Sequence, residues 1–211
     1  MLNELDVIRW NVDKRYLAEL ERAGVPTVPT RVLEAGEAFQ PPGGRFVVKP
    51  VVSAGGRRSA AYEASDAPAA RAHVAHLQAQ GHRVMIQPYL AGVDDRGETA
   101  LLYLNGGYSH AVRKAALLAD GRPPGEELYL EETIEATKAT PAERHVAARA
   151  LAAVPLPASN LLYARVDLVP GRDGEPLLLE LELIEPSLYL SYAPGAVARL
   201  ADGIATRLSS F

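Results

Sequence analysis

The chain has 211 residues, of which 48% are hydrophobic and 23% are charged, and its formal net charge is −4. It contains no cysteine, which excludes disulfides, thiolate metal sites and cysteine nucleophiles. The mild acidity argues against a general nucleic-acid binder, and no apolar run of about 18 residues occurs, so we expect no membrane partner. The first ten residues carry Glu4 and Asp6 and do not resemble a signal peptide, so we expect a cytoplasmic protein.

The first half of the chain alternates between strand and helix signals. They predict, in order, a short helix from Asp13 to Gly24, a strand over 45–50, a loop over 53–59, a helix from Asp66 to about Gln80, a strand over 83–90 and a polar turn over 91–98. Proline at position 68 supports the start of the long helix, since proline is tolerated in the first helical turn.

The second half predicts a hairpin, a helix and a second strand pair. Asn105-Gly106 joins the apolar segments 99–104 and 108–114, because Asn-Gly supplies the positive φ angles of a tight hairpin turn. We expect 115–139 to be irregular. The remaining elements are a helix from the capping box at Thr140 to about Ala153, strands over 161–169 and 176–186, and a helix over about 194–208. The order predicts an α+β fold of two lobes that divide near residue 91.

Three carboxylates occur in the two late strands. Asp167 follows an apolar run, and Glu180 and Glu182 share one face of the next strand because strand side chains alternate. Like charges this close are unfavourable unless a cation lies between them, and Mg²⁺ binds through a few carboxylates, water and phosphate oxygens. The glutamates could equally form the solvated face of an amphipathic strand.

A second candidate feature is the segment VVKPVVSAGGRRS. Lys49 ends a strand, and Gly55 and Gly56 allow backbone N–H groups to approach an anion closely. The segment is not a Walker motif, which requires G-x-x-x-x-G-K-[ST]. It is consistent with a phosphate-binding loop and also with a surface hairpin that carries an exposed lysine.

Arg113 and Lys114 lie next to each other in the segment YSHAVRK. Neighbouring side chains on a strand point to opposite faces, so only one of the two can face a cleft. A charged strand edge is the alternative interpretation. The five histidines show no H-x-E or H-E-x-x-H spacing, so no zinc enzyme is predicted.

Taken in order, these segments resemble the ATP-grasp superfamily, in particular the glutathione synthetase-like ATP-binding domain. The resemblance covers nearly the whole chain and rests on the segments NVDKRYLAELERAGVPTVPT, RFVVKPVVSAGG, VMIQPYL, GETALLYLNGGYSHAVRK, YARVDLV and LLLELELIEP. The motifs SAGG, SHAVRK and ELELIEP suggest the group that contains the cyclo-ligase of cycloserine biosynthesis. The resemblance implies an ATP-grasp fold with the nucleotide in a cleft between two α+β lobes.

The resemblance implies a role for each matching residue. Lys14, Lys49 and the loop formed by Ser53, Ala54, Gly55 and Gly56 would contact the ATP phosphates. The hinge formed by Gln87, Tyr89 and Leu90 would contact the adenine. Glu98 would lie on the ribose side or the substrate side. Arg113 or Lys114 matches the catalytic basic position that stabilises the transferred phosphate. Asp167, Glu180 and Glu182 match the Mg²⁺ ligands, with Mn²⁺ as an alternative ion; many relatives have asparagine at the position of Glu182.

The implied activity is that of a carboxylate–amine ligase or cyclo-ligase that forms an acyl phosphate from Mg-ATP. Its partners would be ATP, a small carboxylate or amino-acid substrate, and a second copy in a homodimer. The implied division is an N-terminal helix and linker (1–26), a smaller lobe (27–90) and a larger lobe with the metal site (91–211).

Two departures from the family pattern keep other interpretations open. Ala100 occupies a position where glutathione synthetases have arginine, which argues against a glutathione-like substrate. Family members usually carry an N-terminal α/β domain before this region. We therefore also weigh a nucleotide-binding module or fragment without complete ligase activity, and a structural protein with an incidental acidic strand.

Overall fold

A computed structural model describes residues 3–53, 55–115 and 133–209. Ala54 of the predicted phosphate loop lies outside these residues, as does most of the segment that the sequence predicts to be irregular. The elements are α1 (Leu5–Asn11), α2 (Tyr16–Arg22), β1 (Arg31–Leu33), β2 (Phe46–Pro50), β3 (Ala60–Tyr62), α3 (Ala67–Ala79), β4 (Val84–Pro88), α4 (Gly92–Arg96), β5 (Glu98–Leu104), β6 (Gly107–Lys114), β7 (Ile134–Thr137), α5 (Pro141–Ala152), β8 (Tyr163–Pro170), β9 (Pro176–Glu182) and α6 (Ala196–Leu208).

The strands form two antiparallel sheets. The smaller sheet has the order β1-β4-β2-β3 and the larger one the order β7-β6-β5-β8-β9. In the larger sheet Asp167 is paired with Glu180 and Arg165 with Glu182, and the register shifts between Asp167 and Leu168. The mixed helix and sheet content confirms the predicted α+β class.

Each sheet buries one face under helices. Helix α3 covers the smaller sheet with Ala70, Val74 and Leu77. Helices α1, α2 and α5 cover the larger sheet, in a core that includes Tyr16 and Leu101. Because side chains alternate along a strand, the opposite faces of the two sheets are left to line a cleft.

Most of the predicted elements are present, and their local signals explain them. The hairpin turn has φ of 51° at Asn105 and 73° at Gly106. The capping box is formed, since Thr140 accepts a hydrogen bond from the Glu143 backbone and the Glu143 side chain accepts one from the Thr140 backbone. Helix α6 is also present, although Val197 and Leu208 on its apolar stripe are 62% and 70% exposed.

Two local predictions are wrong. The polar segment over 91–98 contains the short helix α4, and Ile134–Thr137 forms the edge strand β7, although 115–139 was expected to be irregular. Both elements have weak sequence signals. Helix α4 is only five residues long, and β7 pairs with β6 through main-chain hydrogen bonds that place few demands on its side chains.

No helix in the described part of the chain combines the length and the apolar character needed to cross a membrane.

Gly97 lies at a close approach between β5 and β6. Its φ is 64°, and a Cβ there would lie 2.3 Å from the carbonyl oxygen of Lys114. We expect Gly97→Ala to lower the free energy of unfolding by about 3 kcal/mol, since a left-handed alanine costs about 1–2 kcal/mol and steric overlap adds about as much again. Gly36→Ala is the control, because Gly36 also has a positive φ, 77°, but a Cβ added there would have no atom within 4 Å. Urea denaturation measures both, and equal losses would contradict the steric argument.

Candidate functional site

A cleft of about 170 Å³ lies between the uncovered faces of the two sheets. Its residues come from both sides: Lys14, Val28, Val47, Lys49, Ser53, Gly55, Gly56, Ser59, Gln87, Pro88, Tyr89, Leu90, Val93, Glu98, Lys114, Arg165, Asp167, Val169, Leu179, Glu180 and Glu182. The cleft therefore brings together every predicted site residue that the structure describes, except Arg113.

The charges in the cleft balance. Four cationic side chains, Lys14, Lys49, Lys114 and Arg165, face four carboxylates, Glu98, Asp167, Glu180 and Glu182. Burying a charge is unfavourable unless it is paired, and Lys14, Lys114 and Arg165 each form an ion pair with one or more of these carboxylates.

Lys14 connects the two sides of the cleft. Its ammonium lies 3.1 Å from Glu180 Oε1 and donates to the Ser53 carbonyl at 2.6 Å. Burial alone would raise the pKa of Glu180, but the charges of Lys14 and Lys49 outweigh it and hold that pKa below its usual value. Glu180 is therefore ionised, and it pairs with a lysine at the start of the predicted phosphate loop.

Lys49 points into the cleft from β2. Among the residues that the structure describes, its ammonium has no ion-pair partner within 4 Å. Burial lowers the pKa of Lys49, although the charge of Glu180 nearby opposes this effect. A partly desolvated ammonium without a close counter-ion is suited to bind an anion that enters the cleft.

Lys114 and Arg165 hold Asp167 from two sides. The Lys114 ammonium lies 3.0 Å from Asp167 Oδ2 and 2.9 Å from Glu98 Oε2. Arg165 donates to both oxygens of Asp167, with its Nε at 2.9 Å from Oδ1. Burial alone would raise the pKa of Asp167, but Arg165 and Lys114 hold it below its usual value.

Glu182 differs electrostatically from the other two predicted metal ligands. It lies opposite Arg165 in the sheet and accepts a short hydrogen bond from its guanidinium. Burial raises the pKa of Glu182 to about 8, since the charge of Arg165 only partly offsets it and Glu180 and Asp167 add repulsion. Glu182 thus has a raised pKa, whereas the pKa values of Asp167 and Glu180 are lowered.

The structure separates the two basic residues that the sequence left as alternatives. Lys114 is buried in the cleft, whereas Arg113 points to the other face and donates to the Arg96 carbonyl at 2.7 Å. Of the pair, Lys114 is the one placed near Asp167 and Glu98.

The predicted hinge lies along the smaller-sheet side of the cleft. The Gln87 side chain is buried and donates to Thr30 Oγ1 at 2.8 Å. The Tyr89 backbone N–H donates to the Arg45 carbonyl at 2.9 Å, and the Arg45 guanidinium lies 3.7 Å from the centre of the Tyr89 ring. Burial and the hydrogen bond to Asp94 raise the pKa of Tyr89 to about 12. The predicted hinge is thus joined by hydrogen bonds to three neighbouring segments.

Sequence reasoning missed the apolar walls and one cation. Val28, Val47, Val93, Val169 and Leu179 line the cleft from five different segments, and no local pattern marks them as a group. Arg165 did carry a signal. An arginine two residues before Asp167, inside an otherwise apolar strand, must share its face, and it is only 6% exposed.

Two of the carboxylates fit the ligand preference of Mg²⁺. Asp167 and Glu180 are cross-strand partners with hard oxygen donors on the cleft face. Within the described residues, no three acidic or histidine side chains converge on one metal position. Mg²⁺ usually binds through one or two carboxylates plus water and substrate phosphates, so two facing carboxylates match this mode.

The chain resembles known proteins in both sequence and structure. No family model matches the chain. The chain is 40% identical to the cycloserine biosynthesis protein DcsG of Streptomyces lavendulae, over 99% of this chain and 73% of that protein. The crystal structure of the D-cycloserine synthetase DcsG superposes with a TM-score of 0.85 over 98% of this chain and 73% of that one.

More distant structures share the fold. The D-alanine–D-alanine ligase of Bacillus anthracis complexed with ATP has a TM-score of 0.69 at 18% identity, covering 97% of this chain and 68% of the ligase. The ATP-grasp ligase PsnB, complexed with a precursor variant, Mg and ADP, has a TM-score of 0.64 at 22% identity, covering 98% and 62%. The chain belongs to the ATP-grasp superfamily. It is accordingly an ATP-dependent ligase. The comparisons confirm the resemblance and the predicted ATP-grasp fold.

Lys114 of this ATP-grasp ligase forms ion pairs with the buried Asp167 and the half-buried Glu98. We expect Lys114→Met to lower the free energy of unfolding by about 3–5 kcal/mol, because Glu98 loses its ion pair and Asp167 keeps only Arg165. Arg113→Met is the matched control on the other face and should cost less than about 1 kcal/mol. Urea denaturation of both variants measures the difference. A similar small loss in both would show that the buried pairing contributes little.

Proposed function

We propose that this ATP-grasp ligase uses Mg-ATP to activate a small carboxylate as an acyl phosphate, from which an amine displaces phosphate. The observation that carries the proposal is the charge balance of the cleft. Lysines from both sides face two carboxylates of adjacent strands, next to apolar walls that suit a purine base. Such a cleft can hold an apolar base at one end and a polyanion with its cation at the other.

The proposed reaction has two steps. A carboxylate oxygen of the substrate attacks the γ-phosphorus of ATP, the bond to the bridging oxygen breaks, and ADP leaves. The amine nitrogen then attacks the acyl carbon, loses a proton, and inorganic phosphate leaves. Both steps depend mainly on positioning and on charge stabilisation, since phosphoryl transfer needs little covalent help from protein groups.

The cleft residues divide these tasks. Lys14, Lys49 and the backbone of the loop at Gly55 and Gly56 neutralise the phosphates. Lys114 and Arg165, which share Asp167, stabilise charge on the transferred phosphoryl group. Gln87, Tyr89 and Leu90 hold the adenine edge, and Glu98 keeps Lys114 in place.

Mg²⁺ would be held by Asp167 and Glu180, with Glu182 as a further oxygen donor, and would neutralise charge on the phosphates when bound. Mn²⁺ has the same preference for carboxylate oxygens and is an alternative ion.

The names of two relatives support a proposal for the substrate class. One relative at 40% identity is named a D-cycloserine synthetase, and a more distant one is a D-alanine–D-alanine ligase. We therefore propose a small amino acid or amino-acid derivative as the carboxylate substrate, with ring closure through its own amine as one outcome. A homodimer stays a prediction.

Removing the charge of Glu180 tests this function. Wild-type protein should release ADP from Mg-ATP only when a small amino-acid substrate is present, as measured by a coupled assay across a pool of amino acids. Glu180→Gln should lower that rate by about 100-fold or more, because the variant loses the partner of Lys14 and a metal ligand. Glu175→Gln, an exposed position in the same hairpin, is the matched control and should keep the wild-type rate.

The outcomes separate the competing interpretations. An unchanged rate in Glu180→Gln would refute its role at the metal. ATP binding by calorimetry without ADP release in any pool would favour the nucleotide-binding module. The absence of ATP binding would leave the structural interpretation.

A further inference from the structure

Strand β9 is an edge strand, and the first part of the chain provides hydrogen-bond partners along its outer edge at Leu178, Leu181 and the following Leu183. Leu178 donates its N–H to the Pro26 carbonyl at 2.8 Å and accepts from the Val28 N–H at 2.9 Å. Beyond this short backbone pairing, the edge continues to Leu181 and Leu183. The hydrogen-bond partners of these two residues are side chains, because the segment that faces them forms helices α1 and α2 and not a strand.

Asn11 and Tyr16 replace the missing strand. Asn11 donates to the Leu181 carbonyl at 2.7 Å and accepts from the Leu183 N–H at 2.9 Å, as a backbone amide of a paired strand would. The Tyr16 hydroxyl donates to the Leu181 carbonyl and accepts from the Leu181 N–H, each at 2.9 Å. Both side chains are almost fully buried, at 6% and 2% exposed, so water cannot substitute for them.

Lys14 lies between these two anchors, in the turn that joins α1 to α2. Its backbone N–H donates to the Val51 carbonyl at 3.3 Å, and its ammonium contacts Glu180 and the Ser53 carbonyl. Glu180 precedes Leu181, the residue that Asn11 and Tyr16 both bind. The anchors therefore fix both members of the Lys14–Glu180 pair relative to each other.

We propose that Asn11 and Tyr16 are positioning residues for the phosphate site, setting the Lys14 ammonium against Glu180 and the start of the phosphate loop. The proposal rests on the proposed function for its consequence in nucleotide binding. Without the hydrogen bonds of Asn11 and Tyr16, the turn that carries Lys14 is no longer held at a fixed position along β9. Neither residue is among those that line the cleft.

Asn3 provides a matched control. It is a buried asparagine that bridges the same edge, donating to the carbonyls of Leu183 at 2.8 Å and Tyr163 at 3.0 Å and accepting from the Leu162 N–H at 2.8 Å. Its hydrogen bonds support the fold, but it lies 11 residues from Lys14 in the chain. A purely structural role for these side chains would make Asn3 and Asn11 equivalent.

The first measurement does not depend on nucleotide. Wild-type protein, Asn11→Ala, Tyr16→Phe and Asn3→Ala are treated with acetic anhydride, and lysine acetylation rates are followed by mass spectrometry, with exposed Lys138 as the internal reference. We expect Lys14 to react about tenfold faster in Asn11→Ala and Tyr16→Phe, because its turn opens more often. Asn3→Ala should leave the Lys14 rate unchanged although it lowers the melting temperature.

The second measurement is the Kd for Mg-ATP and for adenosine by calorimetry. We expect Asn11→Ala and Tyr16→Phe to bind Mg-ATP about tenfold more weakly and adenosine normally, because only the phosphate contacts depend on Lys14. Tyr16→Phe keeps the aromatic ring, so it remains informative if Asn11→Ala does not fold.

The two measurements can contradict the positioning role and the proposed function separately. An unchanged Lys14 acetylation rate in Asn11→Ala and Tyr16→Phe, or an equal increase in Asn3→Ala, would overturn the positioning role. A wild-type protein that binds no ATP would overturn the proposed function, while the acetylation rates still decide the role of Asn11 and Tyr16.

Discussion

The structure depends on placing carboxylates on the cleft face of β8 and β9, where solvent is limited. Asp167 is 2% exposed, and an isolated charge at such a depth is strongly unfavourable. The chain meets this constraint with Lys114 and Arg165, and Lys14 provides the same compensation for Glu180. Each cation comes from a different element, so the position of every lobe and helix near the cleft affects the charge balance.

The same constraint explains why the cleft suits a ligand that brings both charge signs. A nucleotide with its metal adds a polyanion and a cation together, so it can exchange partners with the existing pairs without leaving a charge alone. Lys49 is the exception, since it has no ion-pair partner within 4 Å among the described residues. A ligand phosphate would give this ammonium a counter-charge at ion-pair distance.

Much of the fold could be predicted from local signals. The Asn-Gly hairpin, the Thr140 capping box and the apolar strands are encoded over a few residues each, and the structure contains them. Helix α4 and strand β7 could not be predicted, because short elements depend on tertiary contacts more than on their own composition. The pairing of strands that are distant in sequence, such as β5 with β8, likewise has no local signal.

The candidate site was predictable where its residues lie in short motifs. Asp167, Glu180 and Lys49 lie on strands whose alternation indicates their faces, and Arg165 could have been found by the same rule. The choice between Arg113 and Lys114 required knowing which face of β6 meets the cleft. The valines that line the cleft, and the anchors Asn11 and Tyr16, are placed by contacts between residues that are far apart in sequence. No local pattern predicts such contacts.

The bonding of the first residues to the last strand has a consequence for how the chain reaches its native state. Asn11 and Tyr16 find their partner at Leu181, 170 and 165 positions later. During synthesis on the ribosome, helices α1 and α2 must therefore wait until nearly the whole chain has emerged before they can dock. Closing such long loops early is entropically unfavourable, so the docking of α1 and α2 should come late in folding. The smaller sheet and α3, whose strand pairings and helix lie within residues 31–88, can assemble well before that event.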